Sequence, residues 1–191
     1  MIMAIVFLTV TLSPIFSLDA DGQTVSSRKH PYELAPPKSW KPRHTPGGEV
    51  DLALLSPRTQ QGANQDAFVE NLTVIVKPKT PELDARRAAN NGVSSLRRRL
   101  RAFRIVEQGP FRTESGADAY RIVYEGTLDK QPVRNTAYAV AGESIVLTIT
   151  GSALAATHAD YTDTFDRCVA SIKIKDRKPE ASAESSRAGQ P

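Results

Sequence analysis

The chain contains few of the residues that most often carry chemistry. It has one cysteine, one tryptophan and three histidines in 191 residues. Because Cys168 is the single cysteine, no intrachain disulfide can form, and the fold has to be stable by packing alone. Cys168 shares helical spacing with Tyr161, Phe165, Val169 and Ile172, a pattern that predicts a buried, unreactive thiol rather than a reactive one.

Catalytic and metal-binding motifs are also missing. The sequence has no Gly-x-Ser-x-Gly elbow, no phosphate-binding glycine loop and no His-Glu-x-x-His motif. His30 and His44 lie in predicted loops, and His158 lies near the start of the last predicted helix. Asp160 and Asp163 follow His158, but carboxylates near a helix N-terminus are explained by the helix dipole, and the spacing is not that of a known ligand set. We therefore predict a non-enzyme with no catalytic residues, no metal site and no cofactor.

Only the start of the chain carries a long apolar run. Residues 1–18 contain no charged side chain, and the run ends at Asp19. A membrane-spanning helix needs about 20 apolar residues, and Pro14 interrupts this segment. We interpret residues 1–20 as a secretory signal peptide, with an uncleaved anchor as the alternative. The protein is therefore expected to be secreted or periplasmic, with no transmembrane helix in its mature form.

The remaining chain divides into one domain and two flanking segments. Residues 21–31 are polar and are predicted to be a flexible lead-in, and residues 175–191 a disordered tail. The domain between them, residues 32–174, shows the apolar alternation of strands, and an antiparallel meander spans Phe103 to Gly151. Ala141–Glu143 predicts a tight turn within it. The predicted strands are Tyr32–Leu34, Val50–Leu55, Phe68–Val76, Ala119–Leu128, Val133–Val140 and Ser144–Thr150.

Two helices frame the meander. Thr80 is a good N-cap and Pro81 suits the first helical position, so the first helix is predicted to begin there. Asn90–Gly92 lies inside it and weakens the prediction of an unbroken helix, so a kink or two shorter helices would also fit. The second helix is predicted at about Ala155 to Ile172. The fold class is therefore α+β, an antiparallel sheet between helices. The buried stripe of the first helix is predicted to be Leu83, Val93, Leu96, Leu100 and Phe103.

Charge is concentrated in one segment. Residues 77–104 hold nine cations against two carboxylates, a net charge of +7, whereas the whole chain carries +4 and the remainder therefore −3. Helical spacing would place Arg97, Arg101 and Arg104 on one face, which makes them the candidate site for an anionic partner. The other interpretation is a solvated face whose arginines bridge to scattered carboxylates. Nucleic acid is not favoured, because aromatic residues make up only 6% and no docking motif occurs.

Trp40 is the only tryptophan, and it lies in a proline-rich segment beside Lys38, Lys41 and Arg43. An exposed tryptophan next to cations would suit a partner anchor. A single tryptophan also commonly fills one end of a core. Both interpretations remain open from the sequence.

The order of strands, tryptophan loop, helix, meander and helix resembles the PsbP-like family, specifically its bacterial DcrB-like branch. The resemblance implies an α/β/α sandwich and an exported or envelope-associated accessory or binding module without catalysis, and it transfers no site residue. Its partner would be an unknown protein or an anionic envelope component, and contact with a membrane surface is compatible with it. The alternatives are a chaperone-like adaptor for an apolar protein segment and an enzyme with an unrecognised site. The resemblance is carried by Tyr32–Leu34, Pro37–Trp40, Asp51–Leu54, Phe68–Val74, Phe103–Gly109, Gly116–Ile122, Tyr161 and Phe165.

Overall fold

A computed structural model describes residues 24–43, 48–57 and 68–175. These residues form a seven-stranded antiparallel sheet in the order β3-β4-β5-β9-β8-β7-β6, and a small three-stranded sheet in the order β1-β2-β10. Within the described ranges, no helix has the length and hydrophobicity needed to cross a bilayer. The elements are β1 (Val25–Ser26), β2 (Tyr32–Leu34), β3 (Lys41–Arg43), β4 (Val50–Leu55), β5 (Asn71–Pro78), α1 (Ala85–Arg97), β6 (Arg101–Arg112), β7 (Asp118–Leu128), β8 (Gln131–Ala141), β9 (Ile145–Leu154), α2 (His158–Ala170) and β10 (Lys173–Ile174).

The two helices cover opposite faces of the large sheet. Successive side chains of a strand point to opposite faces. On β8, Ala137 and Ala139 pack with α1, whereas Tyr138 and Val140 pack in the cluster that contains Phe165 of α2. The architecture is therefore an α/β/α sandwich, as the resemblance implied, and the meander of β6 to β9 runs from one edge of the large sheet to its centre.

The start of α1 differs from the prediction. The helix begins at Ala85, and its N-cap is Asp84, whose carboxylate accepts a hydrogen bond from the Arg87 backbone N–H at 2.6 Å. Thr80 instead closes a turn, because its carbonyl accepts from the Leu83 N–H at 3.0 Å. Asp118 of β7 also accepts from the Ala85 N–H, so a tertiary partner helps to fix the helix start.

Gly92 does not interrupt α1, which is one continuous helix. A Cβ at Gly92 would lie 3.0 Å from the side-chain methyl of Thr148 on β9. The glycine therefore lets the helix approach the sheet closely, which explains its presence in a helix where it otherwise costs about 1 kcal/mol.

The end of α1 was predicted wrongly. The helix ends at Arg97, and β6 begins at Arg101. Ala102 adopts a positive φ of 49°, and the register between β6 and β7 shifts between Arg101 and Arg104, as in a β-bulge. Leu100 and Phe103 still pack on the same cluster as α1, but from the loop and the strand rather than from the helix.

Strand pairing includes residues before Tyr32, the predicted start of the domain. Residues 21–31 were expected to be a flexible lead-in, yet Val25 is buried and β1 pairs with β2. At the other end, the Lys175 N–H donates to the Pro31 carbonyl at 2.7 Å. The predicted signal peptide at residues 1–20 lies outside the described residues, as does the predicted tail of residues 175–191 apart from Lys175.

Candidate functional site

The three arginines grouped by the sequence do not lie on one face of a helix. Arg97 is the last residue of α1, and its guanidinium lies 5.8 Å from the centre of the Phe103 ring. Arg101 and Arg104 are on β6, opposite Thr127 and Glu125 of β7. Thr127 and Glu125 are two residues apart and therefore point to the same side of β7. The helical face was consequently an incorrect prediction, because the chain between the arginines turns and becomes a strand.

Arg104 takes part in an ion-pair network. Its Nη2 lies 2.5 Å from one carboxylate oxygen of Glu125, and Arg134 Nη2 of β8 lies 2.7 Å from the other. Hydrogen bonds from Arg134 and Arg104 hold the pKa of Glu125 below its ordinary value. Glu125 is shared by two guanidiniums and offsets part of the positive charge of Arg104, so this residue is a weaker candidate for an external anion than an arginine without an ion pair.

Five other cations remain at one end of the domain, and we call this surface the basic end. They come from three elements: the end of α1, the start of β6 and the turn between β7 and β8. All five side chains are exposed, and none forms an ion pair with a described residue. The interpretation that arginines of residues 77–104 bridge to scattered carboxylates therefore holds for Arg104 and not for Arg97, Arg98, Arg99 and Arg101. The basic end consists of Arg97, Arg98, Arg99, Arg101 and Lys130.

Two local features hold the basic end together. A Cβ on Gly126 would lie 2.9 Å from both the Arg101 carbonyl and the Leu100 side chain, so the start of β6 rests directly on β7. Asp129 and Lys130 have φ angles of 45° and 69°, and they form the two-residue turn between paired residues Leu128 and Gln131. Positive φ at both central residues is the geometry of a tight hairpin turn. The close packing at Gly126 and the tight turn therefore hold the backbone at the start of β6 and at Lys130 in place.

Leu128 is the apolar residue of this region. It lies at the end of β7, and 39% of it is exposed. Sequence reasoning missed both Lys130 and Leu128, because they are about 30 residues from the arginines along the chain. Their proximity depends on the pairing of β6 with β7, which no local pattern encodes.

Trp40 lies in the core. Its exposed fraction is 9%, and its ring makes edge contacts with Tyr161 and Phe165 of α2, each with a centre-to-centre distance of 6.1 Å. An indole enclosed in this way cannot serve as an exposed partner anchor. Of the two interpretations left open by the sequence, the packing supports the core one.

A group of polar side chains lies between α2 and the sheet, and we call it the polar seam. It consists of Arg121, Thr136, Tyr138, His158 and Asp166. His158 Nε2 lies 3.0 Å from the Thr136 hydroxyl, and the Tyr138 hydroxyl donates to Asp166 at 2.5 Å. Burial lowers the pKa of His158, helped by the nearby positive charges of Arg134 and Arg121. The described ranges contain no cluster of His, Cys, Asp and Glu that could hold a metal ion.

Arg121 completes this seam. Its Nη1 donates to Glu107 at 2.9 Å, and its Nε lies 3.3 Å from Asp166. The Nε is buried and makes no hydrogen bond, although the Asp166 charge is close to it. The other polar groups of the seam are engaged with one another, as in a structural network.

A shallow cavity of about 470 Å³ lies at the opposite end of α1 from the basic end. Its two carboxylates, Asp84 and Asp118, accept hydrogen bonds from the first backbone N–H groups of α1. Arg86 stacks over Tyr120, 5.8 Å from the ring centre. These groups therefore stabilise the helix start. The cavity is lined by Asp84, Arg86, Gln108, Gly109, Pro110, Asp118, Ala119 and Tyr120.

Comparison with solved structures identifies the fold. The solution structure of cyanobacterial PsbP (CyanoP) from Synechocystis sp. PCC 6803 matches with a TM-score of 0.60 at 18% identity, over 85% of this chain and 100% of that one. LpqN, a Mycobacterium tuberculosis protein involved in cell envelope biogenesis, matches with a TM-score of 0.59 at 14% identity, over 82% of this chain and 86% of that one. No protein-family model matches the chain. No curated protein matches it either.

The chain therefore has the PsbP-like fold. This confirms the predicted α+β class and the PsbP-like resemblance, whereas the DcrB-like branch stays a prediction. Identities this low show the fold alone, since one fold hosts many functions. The site has to be argued from the residues of this chain.

Proposed function

We propose that the protein is an exported, envelope-associated accessory module without catalytic activity, which binds an anionic partner through the basic end. The observation that carries the proposal is the set of five exposed cations without ion pairs in the described structure, brought together by three elements. Uncompensated charge of one sign attracts ligands of the opposite sign and accelerates their association. The involvement of LpqN in cell envelope biogenesis and the predicted signal peptide support the envelope location.

The other two functions have less support. An enzyme would need an accessible nucleophile or proton carrier. The titratable groups of the polar seam are instead paired with other groups of the seam through hydrogen bonds and ion pairs. Burial raises the pKa of the Cys168 thiol to about 12, which disfavours the reactive thiolate. An adaptor for an apolar segment would need a broad apolar surface. The large exposed apolar residues of the described chain are Ile105, Val106 and Leu128.

Binding to a soluble polyanion tests the proposal. The full chain is titrated with dextran sulfate at low and high salt, beside a variant that combines Arg97→Glu, Arg99→Glu and Arg101→Glu. The matched control changes Lys38, Lys41 and Lys77 to Glu, which alters the net charge equally on exposed residues elsewhere in the fold. We expect binding that weakens with salt and that falls about tenfold or more in the arginine variant only. Equal losses in both variants, or no binding by the native chain, would overturn the proposal.

A further inference from the structure

We propose that the partner of the basic end is the surface of an anionic lipid bilayer, and that Leu128 enters its headgroup region. This inference rests on the proposed function, because it names the class of anion that the basic end recognises. Three observations lead to it: the course of α1 along β7, the composition of the surface, and the position of the one cavity described above.

Helix α1 runs along β7 and ends before β7 does. At its start, the Ala85 N–H donates to Asp118, the first residue of β7, and Arg86 stacks over Tyr120. After its end, Leu100 packs on Gly126. Helix and strand therefore run in the same direction, and the last two residues of β7 extend past the helix.

Leu128 is consequently left uncovered. Tyr124 packs in the cluster beneath α1, and alternation places Gly126 and Leu128 on the same side of the strand. Leu128 lies just past the helix end, next to a turn that carries Lys130.

The composition of this surface matches that of a peripheral membrane contact. An exposed apolar side chain on a surface that also carries Lys and Arg binds anionic membranes through two additive terms: charge attraction and burial of apolar area. Each Lys or Arg near an anionic leaflet strengthens binding by roughly fivefold. The carboxylate at the same turn, Asp129, offsets part of this attraction.

The arrangement favours a broad surface over an enclosed ligand. A small acidic ligand would be held in a pocket lined by the cations, with polar groups to orient it. The 470 Å³ cavity is lined by none of the five cations and lies at the other end of α1. The basic end instead offers exposed cations from a helix end, a strand start and a hairpin tip, and such a spread of charge suits the broad surface of an anionic bilayer.

Vesicle co-sedimentation tests the inference. The full chain is mixed with vesicles of phosphatidylcholine alone or of equimolar phosphatidylcholine and phosphatidylglycerol, at low and high salt. We expect binding only to the anionic vesicles, with at least about a hundredfold loss on combined Arg97→Glu, Arg99→Glu and Arg101→Glu. The same lysine-to-Glu control as above should retain most of the binding.

Leucine variants test the apolar term separately. Leu128→Ser should weaken binding to anionic vesicles by roughly three- to tenfold, and Leu128→Trp should strengthen it, whereas Ile105→Ser, at a comparably exposed site, should not change it. The two Leu128 variants move affinity in opposite directions, so a general folding defect cannot produce both results. Circular dichroism confirms that each variant is folded.

The outcomes separate this inference from the proposed function. Arginine-dependent binding to dextran sulfate without binding to anionic vesicles would overturn the membrane inference and leave the proposed function standing. Failure of both would overturn both. Equal binding to neutral vesicles would contradict recognition by charge. Vesicle binding that is identical in the native chain and the Leu128 variants would overturn the insertion of Leu128.

Discussion

The ring of Phe165 packs directly on Gly151. A Cβ built on Gly151 would lie 2.7 Å from Cγ of the Phe165 ring, a distance too short for two non-bonded carbon atoms. Gly151 is on β9 and Phe165 is the fully buried centre of the inner face of α2. The absence of a side chain on the strand therefore sets how closely α2 approaches the sheet, and Trp40 in turn packs against the Phe165 ring.

We predict that Gly151→Ala destabilises the fold by about 1–3 kcal/mol, because the added methyl forces the ring or the helix to move. Urea unfolding would measure the change. Gly109→Ala on β6 is the matched control, since a Cβ there meets no atom within 4 Å, and it should leave stability nearly unchanged. Combining Gly151→Ala with Phe165→Leu should cost less than the sum of the single changes. Strict additivity would show that the two residues are not in the contact described.

The meander was predictable from the sequence because its strands alternate locally and their turns carry recognisable residues. The predicted strands Ala119–Leu128 and Val133–Val140 agree with β7 and β8 to within two residues at each end. The end of α1 was not predictable in this way. The spacing of Leu96, Leu100 and Phe103 is that of one helix. The three residues lie instead on a helix, a loop and a strand, and all of them pack on the same apolar cluster.

The candidate site was only half predictable for the same reason. The arginines are evident as a charge run, but which of them are neutralised depends on pairing across the sheet. Arg104 lies opposite Glu125, 21 residues away, and Lys130 reaches the arginines through the β7–β8 hairpin. The first strand shows a similar dependence, since Val25 lies in a polar segment and becomes a strand only by pairing with β2.

Because Trp40 is buried, we can predict the wavelength and the quenching of its fluorescence. Trp40 is the only tryptophan of the chain, and 9% of it is exposed. Its fluorescence emission in the folded protein should therefore lie at a shorter wavelength than in the unfolded chain. Acrylamide should quench the folded protein much less than the protein in denaturant. Equal quenching in both states would contradict the packing on Tyr161 and Phe165 and would restore the interpretation of Trp40 as an exposed anchor.

His158 predicts a loss of stability at mildly acidic pH. Its folded pKa is lowered below 6.5, chiefly by burial, so the unfolded chain takes up the proton more readily than the folded one. The free energy of unfolding should therefore fall as the pH drops from 7 to 5 through the ordinary histidine pKa. His158→Gln removes this titration, and the fall should be smaller in that variant. Urea unfolding at the two pH values measures the difference.

The control for this prediction is His30→Gln, because the His30 side chain is 36% exposed. This variant should retain the pH dependence attributed to His158. If His158→Gln showed the same fall in stability as the native protein, the histidine would not be buried in its neutral form, and the contact with Thr136 would need a different protonation state.

Glu125 should titrate at unusually low pH. Hydrogen bonds from Arg134 and then Arg104 lower its pKa from 4.5. The stabilisation from these pairs is therefore present at neutral pH and is lost as the pH falls through the lowered value. Arg134→Met should raise the pKa of Glu125 more than Arg104→Met, and Arg98→Met should not change it. An NMR titration of the carboxyl resonance would check this order, and a large effect of Arg98→Met would contradict it.

Single substitutions at Arg101 and Arg104 should separate position from net charge. Arg101→Met and Arg104→Met each remove one positive charge from neighbouring sites on β6, so a response to net charge alone would be equal for both. Arg101 has no ion-pair partner among the described residues, whereas Arg104 lies 2.5 Å from Glu125. We therefore expect Arg101→Met to weaken binding to dextran sulfate several-fold more than Arg104→Met. Equal losses would show that the ion pair does not withdraw Arg104 from binding, and the basic end would then have to include it.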